Sequence, residues 1–101
     1  MLRFRVREVD EFTVVGFEVE GILEPKVLRD LRPPGVNPRK GVILTGRGPI
    51  WLYGFLVHFY HPTVWVATYD PRIGAVVVES HVPDKSPGDV VAIDPEEILG
   101  R

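Results

Sequence analysis

A charge-free stretch from Gly48 to Tyr69, preceded by the apolar run GVILTG at 41–46, constrains the fold more than any other feature of this sequence. A short, continuous apolar run is typical of a strand that is buried on both faces of a parallel sheet. Residues from Pro49 to about His61 are predicted to form a helix that ends at Pro62, and VWVATY at 64–69 is predicted to form a second buried strand. Strand, loop, helix and strand in this order predict one βαβ unit.

The segments on either side of this unit are predicted to be mainly antiparallel. Residues 2–9 alternate between apolar and charged side chains, which indicates a half-buried strand, and residues 12–20 are predicted to pair back on it as a hairpin. Gly16 within the second strand indicates a bulge or a close contact. The other predicted elements are a short helix at 24–31, an antiparallel strand in GAVVVES, a short strand in VVAID and a helical turn in PEEILG.

The fold class that follows is α/β, with a mixed sheet, a Rossmann-like central βαβ unit and flanking β-hairpins. A chain of 101 residues is expected to form a single domain, here residues 1–101. The net charge of −2 and the pI of about 5.9 argue against a general nucleic-acid-binding surface. The sequence has no cysteine, so thiolate chemistry is excluded.

The distribution of charge also bears on location. The N-terminal segment alternates charged and apolar residues and does not resemble a signal peptide. The charge-free stretch is broken at His61–Pro62, so we do not expect it to span a membrane. A cytoplasmic protein is therefore expected.

The loop that joins the first buried strand to the helix is a candidate ligand-binding site. It contains Gly46, Arg47, Gly48 and Pro49. Ligands of open α/β sheets bind at the carboxyl ends of the strands, and a helix N-terminus there offers free N–H groups to a phosphate. Two glycines allow close backbone approach, and an arginine adds a phosphate contact. The alternative is a tight turn in which the glycines serve packing only.

The three histidines form a second candidate site together with an aspartate and an arginine. His58 and His61 are three residues apart and share a helix face, and His81 ends a predicted strand. Imidazole and carboxylate groups suit manganese, zinc or iron, and they also suit acid–base catalysis. We consider His58, His61 and Asp70 as metal ligands. The structural alternatives are a helix cap for the histidines and a turn for Asp70–Pro71–Arg72.

The predicted topology separates these two groups of residues. The helix runs back from the carboxyl edge of the sheet, so His58 and His61 are expected at the opposite edge together with His81. Asp70 and Arg72 follow the next parallel strand and are expected beside Arg47. If Asp70 and His61 act on one bond, they are expected to come from different subunits.

The predicted helix also indicates a partner. It carries no charged residue and is apolar all round, whereas the sheet covers only one side of it. A second copy of the helix, related by a two-fold axis, is the simplest cover, so a homodimer is predicted. The alternative is that the first hairpin and the short helix wrap it within one chain.

Residues 40–81 contain GRGPIW, a helix ending in HxxH, and YDPRxGAVVV, and with these motifs the sequence resembles the small CRISPR-associated Csx-type proteins of type III systems. That family is described as manganese-dependent ring nucleases and RNA deadenylases related to the Rossmann-like CARF sensors. The resemblance implies a CARF-like domain and a hydrolase acting on cyclic tetra-adenylate, which would switch off antiviral signalling.

The resemblance also implies roles for individual residues. Gly46, Arg47, Gly48 and Pro49 would hold the phosphates and ribose, and His61, Asp70 and Arg72 match the catalytic positions. Manganese or another divalent metal would be the cofactor. Two alternatives stay open, namely a manganese-dependent 3′ exoribonuclease that trims adenylates from a short RNA 3′ end, and a binding module without chemistry. From the predicted topology, which puts His61 and Asp70 at opposite edges, the ligand is expected to lie between dimers that associate head to tail.

Overall fold

Six strands form one mixed sheet whose order in space follows their order in the chain. The computed structural model describes residues 1–100. Strands β1 and β2 pair antiparallel, β2, β3 and β4 are parallel neighbours, and β4, β5 and β6 are antiparallel neighbours. The strands are β1 Leu2–Glu8, β2 Phe12–Val19, β3 Gly41–Arg47, β4 Trp65–Asp70, β5 Gly74–Ser80 and β6 Val90–Val91. The predicted α/β class, the mixed sheet and both flanking hairpins are thus confirmed.

The helices are short. The main helix, α1, covers Ile50–Tyr60, and α2 covers Pro95–Leu99. Pro49 is extended at φ −67° and ψ 154° and precedes α1 as its N-cap, so the helix begins one residue later than predicted. The short helix predicted at 24–31 is a 3₁₀ helix over Pro25–Arg29, and its N-cap makes no side-chain hydrogen bond. Short 3₁₀ segments of this kind are common connectors between regular elements.

The parallel strands are buried on both faces, as their continuous apolar sequences predicted. Alternate residues point to opposite faces of a strand, so Val42 and Leu44 of β3 face one side and Ile43 faces the other. The first side packs against Leu52 and Leu56 of α1. The second side holds a smaller cluster, completed by residues of β4, β5 and the C-terminal segment: Trp65, Ala67, Tyr69, Ala75, Val77, Val91 and Ile93.

Gly16 marks a close contact, which is one of the two predicted alternatives. A Cβ atom at this position would lie 2.7 Å from Cδ1 of Leu99, so α2 packs directly on the backbone of β2. The contact places the C-terminal helix beside the carboxyl ends of the parallel strands. Within residues 1–100, no helix combines the length and the apolar character needed to cross a membrane.

Candidate functional site

The loop between β3 and α1 leaves backbone donors free at the carboxyl edge of the sheet. The N-cap of α1 is Pro49, which offers no side-chain hydrogen bond to the helix. Its carbonyl accepts from the N–H groups of Leu52 and Tyr53, at 3.1 and 3.4 Å. Among the described residues, the N–H groups of Ile50 and Trp51 have no such partner. These two donors and the positive end of the helix dipole suit an anion.

The two glycines of this loop have a sufficient explanation inside the fold. Gly46 has φ +151°, and a Cβ atom there would lie 2.5 Å from the carbonyl oxygen of Phe17. A Cβ atom at Gly48 would lie 2.8 Å from the Phe17 ring. Packing against Phe17 therefore requires glycine at both positions, whether or not a ligand approaches. Arg47 is exposed and makes no ion pair with residues 1–100, so it is the side chain of this loop that is free for a ligand.

Asp70 and Arg72 lie at the same edge and bind each other. The Nε and one terminal nitrogen of Arg72 donate to the two carboxylate oxygens of Asp70 at 3.2 and 3.1 Å, and the backbone N–H of Arg72 donates at 2.9 Å. The Arg72 side-chain hydrogen bonds hold the pKa of the Asp70 carboxyl below its ordinary value of 3.8. They also raise the pKa of Arg72. Asp70 is thus a charged carboxylate with both oxygens occupied, while 85% of the Arg72 side chain is exposed.

A cavity of about 680 Å³ opens at this edge, between α2 and the second face of the sheet. A volume of this order accommodates a small-molecule ligand. Arg47, Thr45 and Tyr69 contribute to its wall, as do several carboxylates. Arg5 is engaged by Glu96 at 3.4 Å, so Arg47 is the cation of the wall that no carboxylate neutralises among the described residues. The acidic wall disfavours phosphates deep in the cavity and favours them at the rim near Arg47 and the start of α1.

The opposite edge of the sheet holds a compact cluster of His61, Glu79 and His81. His61 caps the end of α1, Glu79 lies in β5, and His81 directly follows that strand. The Nε2 atom of His81 lies 3.3 Å from Oε2 of Glu79, and Nδ1 of His61 lies 3.9 Å from the same oxygen. Local strand pairing brings them together, because the N–H of His81 donates to the carbonyl of Val64 at 2.9 Å.

A β-bulge helps to aim two of these side chains. The pairing of β4 with β5 shifts between Val66 and Ala67, where Val66 pairs with Glu79 and Ala67 pairs with Val77. Glu79 and His81 are two residues apart and therefore point to the same face. Bulges are frequent beside functional sites because they redirect side chains.

The chemistry of this cluster fits a divalent transition-metal ion. One donor atom from each of His61, Glu79 and His81 lies within 4.8 Å of the others. Two imidazoles and one carboxylate suit manganese, iron or zinc. The Nε2 atom of His81 also lies 2.9 Å from the backbone oxygen of His61, within hydrogen-bonding distance.

The structure does not bring the predicted ligands His58, His61 and Asp70 together within one chain. Helix α1 runs from one edge of the sheet to the other, so its C-terminal histidines lie far from Asp70 and Arg72 at the end of β4. This is the separation of the two groups that the topology predicted. The His58 ring stacks on that of His61 with centroids 6.1 Å apart, but it lies outside the three-residue cluster. Sequence reasoning missed Glu79, although its signal was the spacing of Glu79 and His81 at the end of a strand.

Comparison with known proteins identifies the family. Residues 16–92 match the model of the CRISPR-associated protein family Cas_csx3. The chain belongs to the Cas_csx3 family. An uncharacterized protein of Aquifex aeolicus (strain VF5) is 46% identical over 97 residues, which cover 90% of this chain and 87% of that protein. The region matched to Cas_csx3 includes both the Gly46–Pro49 loop and the His61, Glu79 and His81 cluster.

Proposed function

We propose that this Cas_csx3-family chain is a divalent-metal-dependent phosphodiesterase that binds and cleaves cyclic tetra-adenylate, and thereby switches off type III CRISPR signalling. The observation that carries the proposal is the cluster of His61, Glu79 and His81. Two exposed imidazoles that share one carboxylate form a donor set that suits a divalent transition-metal ion. Membership of a CRISPR-associated family supports the biological setting. Manganese is the proposed cofactor, and a CARF-like arrangement is part of the proposal.

The proposed site is divided between two chains. The phosphate-binding groups lie at the carboxyl edge of the sheet, where β3 and β4 end. The metal-binding groups lie at the opposite edge, where these strands begin, which we call the amino edge. The six residues of β4 separate the edges by roughly 20 Å at about 3.3 Å per residue. A single ligand phosphate therefore reaches both sets of groups when it is held between two chains, the amino edge of one facing the carboxyl edge of the other.

Each edge would contribute different chemistry. Arg47 and the free N–H groups at the start of α1 would bind ligand phosphates. A metal ion on the histidine cluster would stabilise charge on the scissile phosphate. Arg72 would exchange the carboxylate of Asp70 for a phosphate, which frees Asp70 to accept a proton, while His61 would hold the metal ion.

The proposed assembly begins with a homodimer through α1. The surface of this helix that is turned away from the sheet carries Gly54 and, at its first residue, Ile50, which is 86% exposed. A Cβ atom at Gly54 would have no neighbour within 4 Å, so a second helix can approach closely there. Sedimentation at micromolar concentration tests this step: we expect a dimer, and a clean monomer would contradict it.

The activity is tested by incubating the protein with labelled cyclic tetra-adenylate in manganese or in EDTA. We expect cleavage that requires the metal and that is lost in Glu79→Gln. A linear RNA with 3′ adenylates is assayed in parallel, and cleavage of this RNA alone would favour the exoribonuclease. Tight binding of the ring with no product in manganese would favour a non-catalytic binding module.

A further inference from the structure

The phenol group of Tyr53 contacts the candidate phosphate-binding loop. Its hydroxyl donates a hydrogen bond of 2.6 Å to the carbonyl oxygen of Gly46. Burial raises the pKa of Tyr53, so this hydroxyl stays protonated and remains a donor at physiological pH. The bond links the first full turn of α1 to the residue that precedes Arg47. It therefore acts on the loop and not only on the helix.

The Tyr53 ring is itself held in place by Phe17. The two ring centroids are 5.1 Å apart with an interplanar angle of 69°, a favourable edge-to-face geometry. Gly46 and Gly48 also pack against the Phe17 ring. Phe17 and Tyr53 together form an aromatic support beneath the loop.

This support determines which backbone groups the loop presents. The carbonyl of Gly46 is directed at Tyr53, and the carbonyl of Pro49 is used within the helix. The N–H groups of Ile50 and Trp51 have no partner among residues 1–100. A carbonyl turned toward the ligand would repel an anion, whereas N–H groups without a partner attract one.

We propose that Tyr53 is the positioning residue of the phosphate-binding loop: its hydroxyl keeps the Gly46 carbonyl turned away from the ligand and the neighbouring N–H groups turned toward it. The inference rests on the proposed function, because it takes the loop as the phosphate-binding edge. Tyr53 does not touch the ligand. Its effect is on binding and not on the metal-assisted step at the other edge.

The chain provides a matched control for Tyr53→Phe. Tyr60, on the same helix, also donates its hydroxyl to a backbone carbonyl, that of Pro34 at 2.5 Å, but at the opposite edge of the sheet. Tyr53→Phe and Tyr60→Phe each remove one part-buried hydroxyl and one hydrogen bond to the backbone. Comparison of the two variants therefore separates an effect on the loop from a loss of stability that both variants share.

The test measures loop order and ligand affinity in both variants. In Tyr53→Phe we expect lower backbone ¹⁵N order parameters at Gly46, Gly48 and Ile50, and affinity for cyclic tetra-adenylate weaker by about five- to tenfold, as for the loss of one hydrogen bond. In Tyr60→Phe we expect unchanged loop order and affinity within about twofold of wild type.

Unchanged loop order in Tyr53→Phe would overturn the inference, as would equal losses of affinity in the two variants. If wild-type protein bound no cyclic tetra-adenylate, the proposed function would fail. The order parameters would then still decide whether Tyr53 positions the loop.

Discussion

At the scale of single residues, the two edges of the sheet differ in how their charged groups are neutralised. Asp70 is bound on both carboxylate oxygens by Arg72, whereas Glu79 is shared by two exposed imidazoles that carry no fixed charge. A carboxylate already matched by a guanidinium has little to offer a cation. A carboxylate beside two imidazoles has no permanently charged counter-ion and suits a metal. This contrast favours Glu79 over Asp70 as a ligand of the proposed metal ion.

Substitution of Glu79 tests this placement directly. We expect Glu79→Gln to weaken manganese binding at least about tenfold, because a charged ligand is replaced by a neutral amide. Asp70→Asn is the matched control and should leave the affinity within about twofold of wild type, since it lies at the other edge. Calorimetric titration of the two variants with manganese gives the answer. Weaker manganese binding in Asp70→Asn with normal binding in Glu79→Gln would show that the metal binds at the other edge.

The ion pair at the carboxyl edge makes a separate prediction. Removing the guanidinium in Arg72→Ala should raise the pKa of Asp70 back toward 3.8, because the side-chain hydrogen bonds that lower it are lost. The stability linked to this pair is present above the ordinary pKa and is lost as pH falls through the lowered value. Carboxyl chemical shifts followed by NMR report the titration. An Asp70 titration identical in Arg72→Ala and wild type would show that the pair does not form in solution.

At the scale of secondary-structure elements, the packing of β3 against β4 depends on a glycine. A Cβ atom at Gly41 would lie 2.1 Å from the indole of Trp65, which is only 5% exposed. The ring also contacts Phe12 and lies beneath Lys85. It therefore has little freedom to move away from an added methyl group, and the first residue of β3 must be glycine.

Two glycine-to-alanine substitutions test this account. Gly41→Ala should destabilise the protein by about 1–3 kcal/mol, the usual cost of overpacking a core. Gly54→Ala adds the same methyl group where no neighbour of the same chain lies within 4 Å, so at a protein concentration at which the chain is monomeric it should stabilise α1 by roughly 0.5–1 kcal/mol. Urea unfolding at one protein concentration compares them. Equal stability of Gly41→Ala and wild type would contradict the tight contact with Trp65.

The elements also show what the sequence alone could predict. The continuous apolar runs of β3 and β4 and the charge-free helix between them were predictable, because their patterns match burial on both faces. The cluster at the amino edge could not be predicted, because the approach of Glu79 to His61 depends on strand register and on the bulge near Ala67. Val78 is the extra residue of this bulge, and the apolar run of β5 does not reveal where such a residue falls.

At the scale of the whole molecule, the proposed active site requires two chains. The edge that carries His61 and the edge that carries Asp70 lie at opposite ends of β4 and cannot meet in one chain. An assembly that joins unlike edges is head to tail. Activity is therefore expected to rise more steeply than linearly with protein concentration until the ligand-bridged assembly is complete.

Complementation between two inactive variants tests this central claim most directly. His61→Ala and Asp70→Ala are each expected to be inactive on cyclic tetra-adenylate, because every junction lacks one group. An equal mixture should recover about one quarter of wild-type activity, since one of the four kinds of head-to-tail junction has both residues intact. The same total protein concentration of each single variant serves as the control. No recovery in the mixture, together with activity strictly proportional to wild-type concentration, would contradict an active site formed between chains.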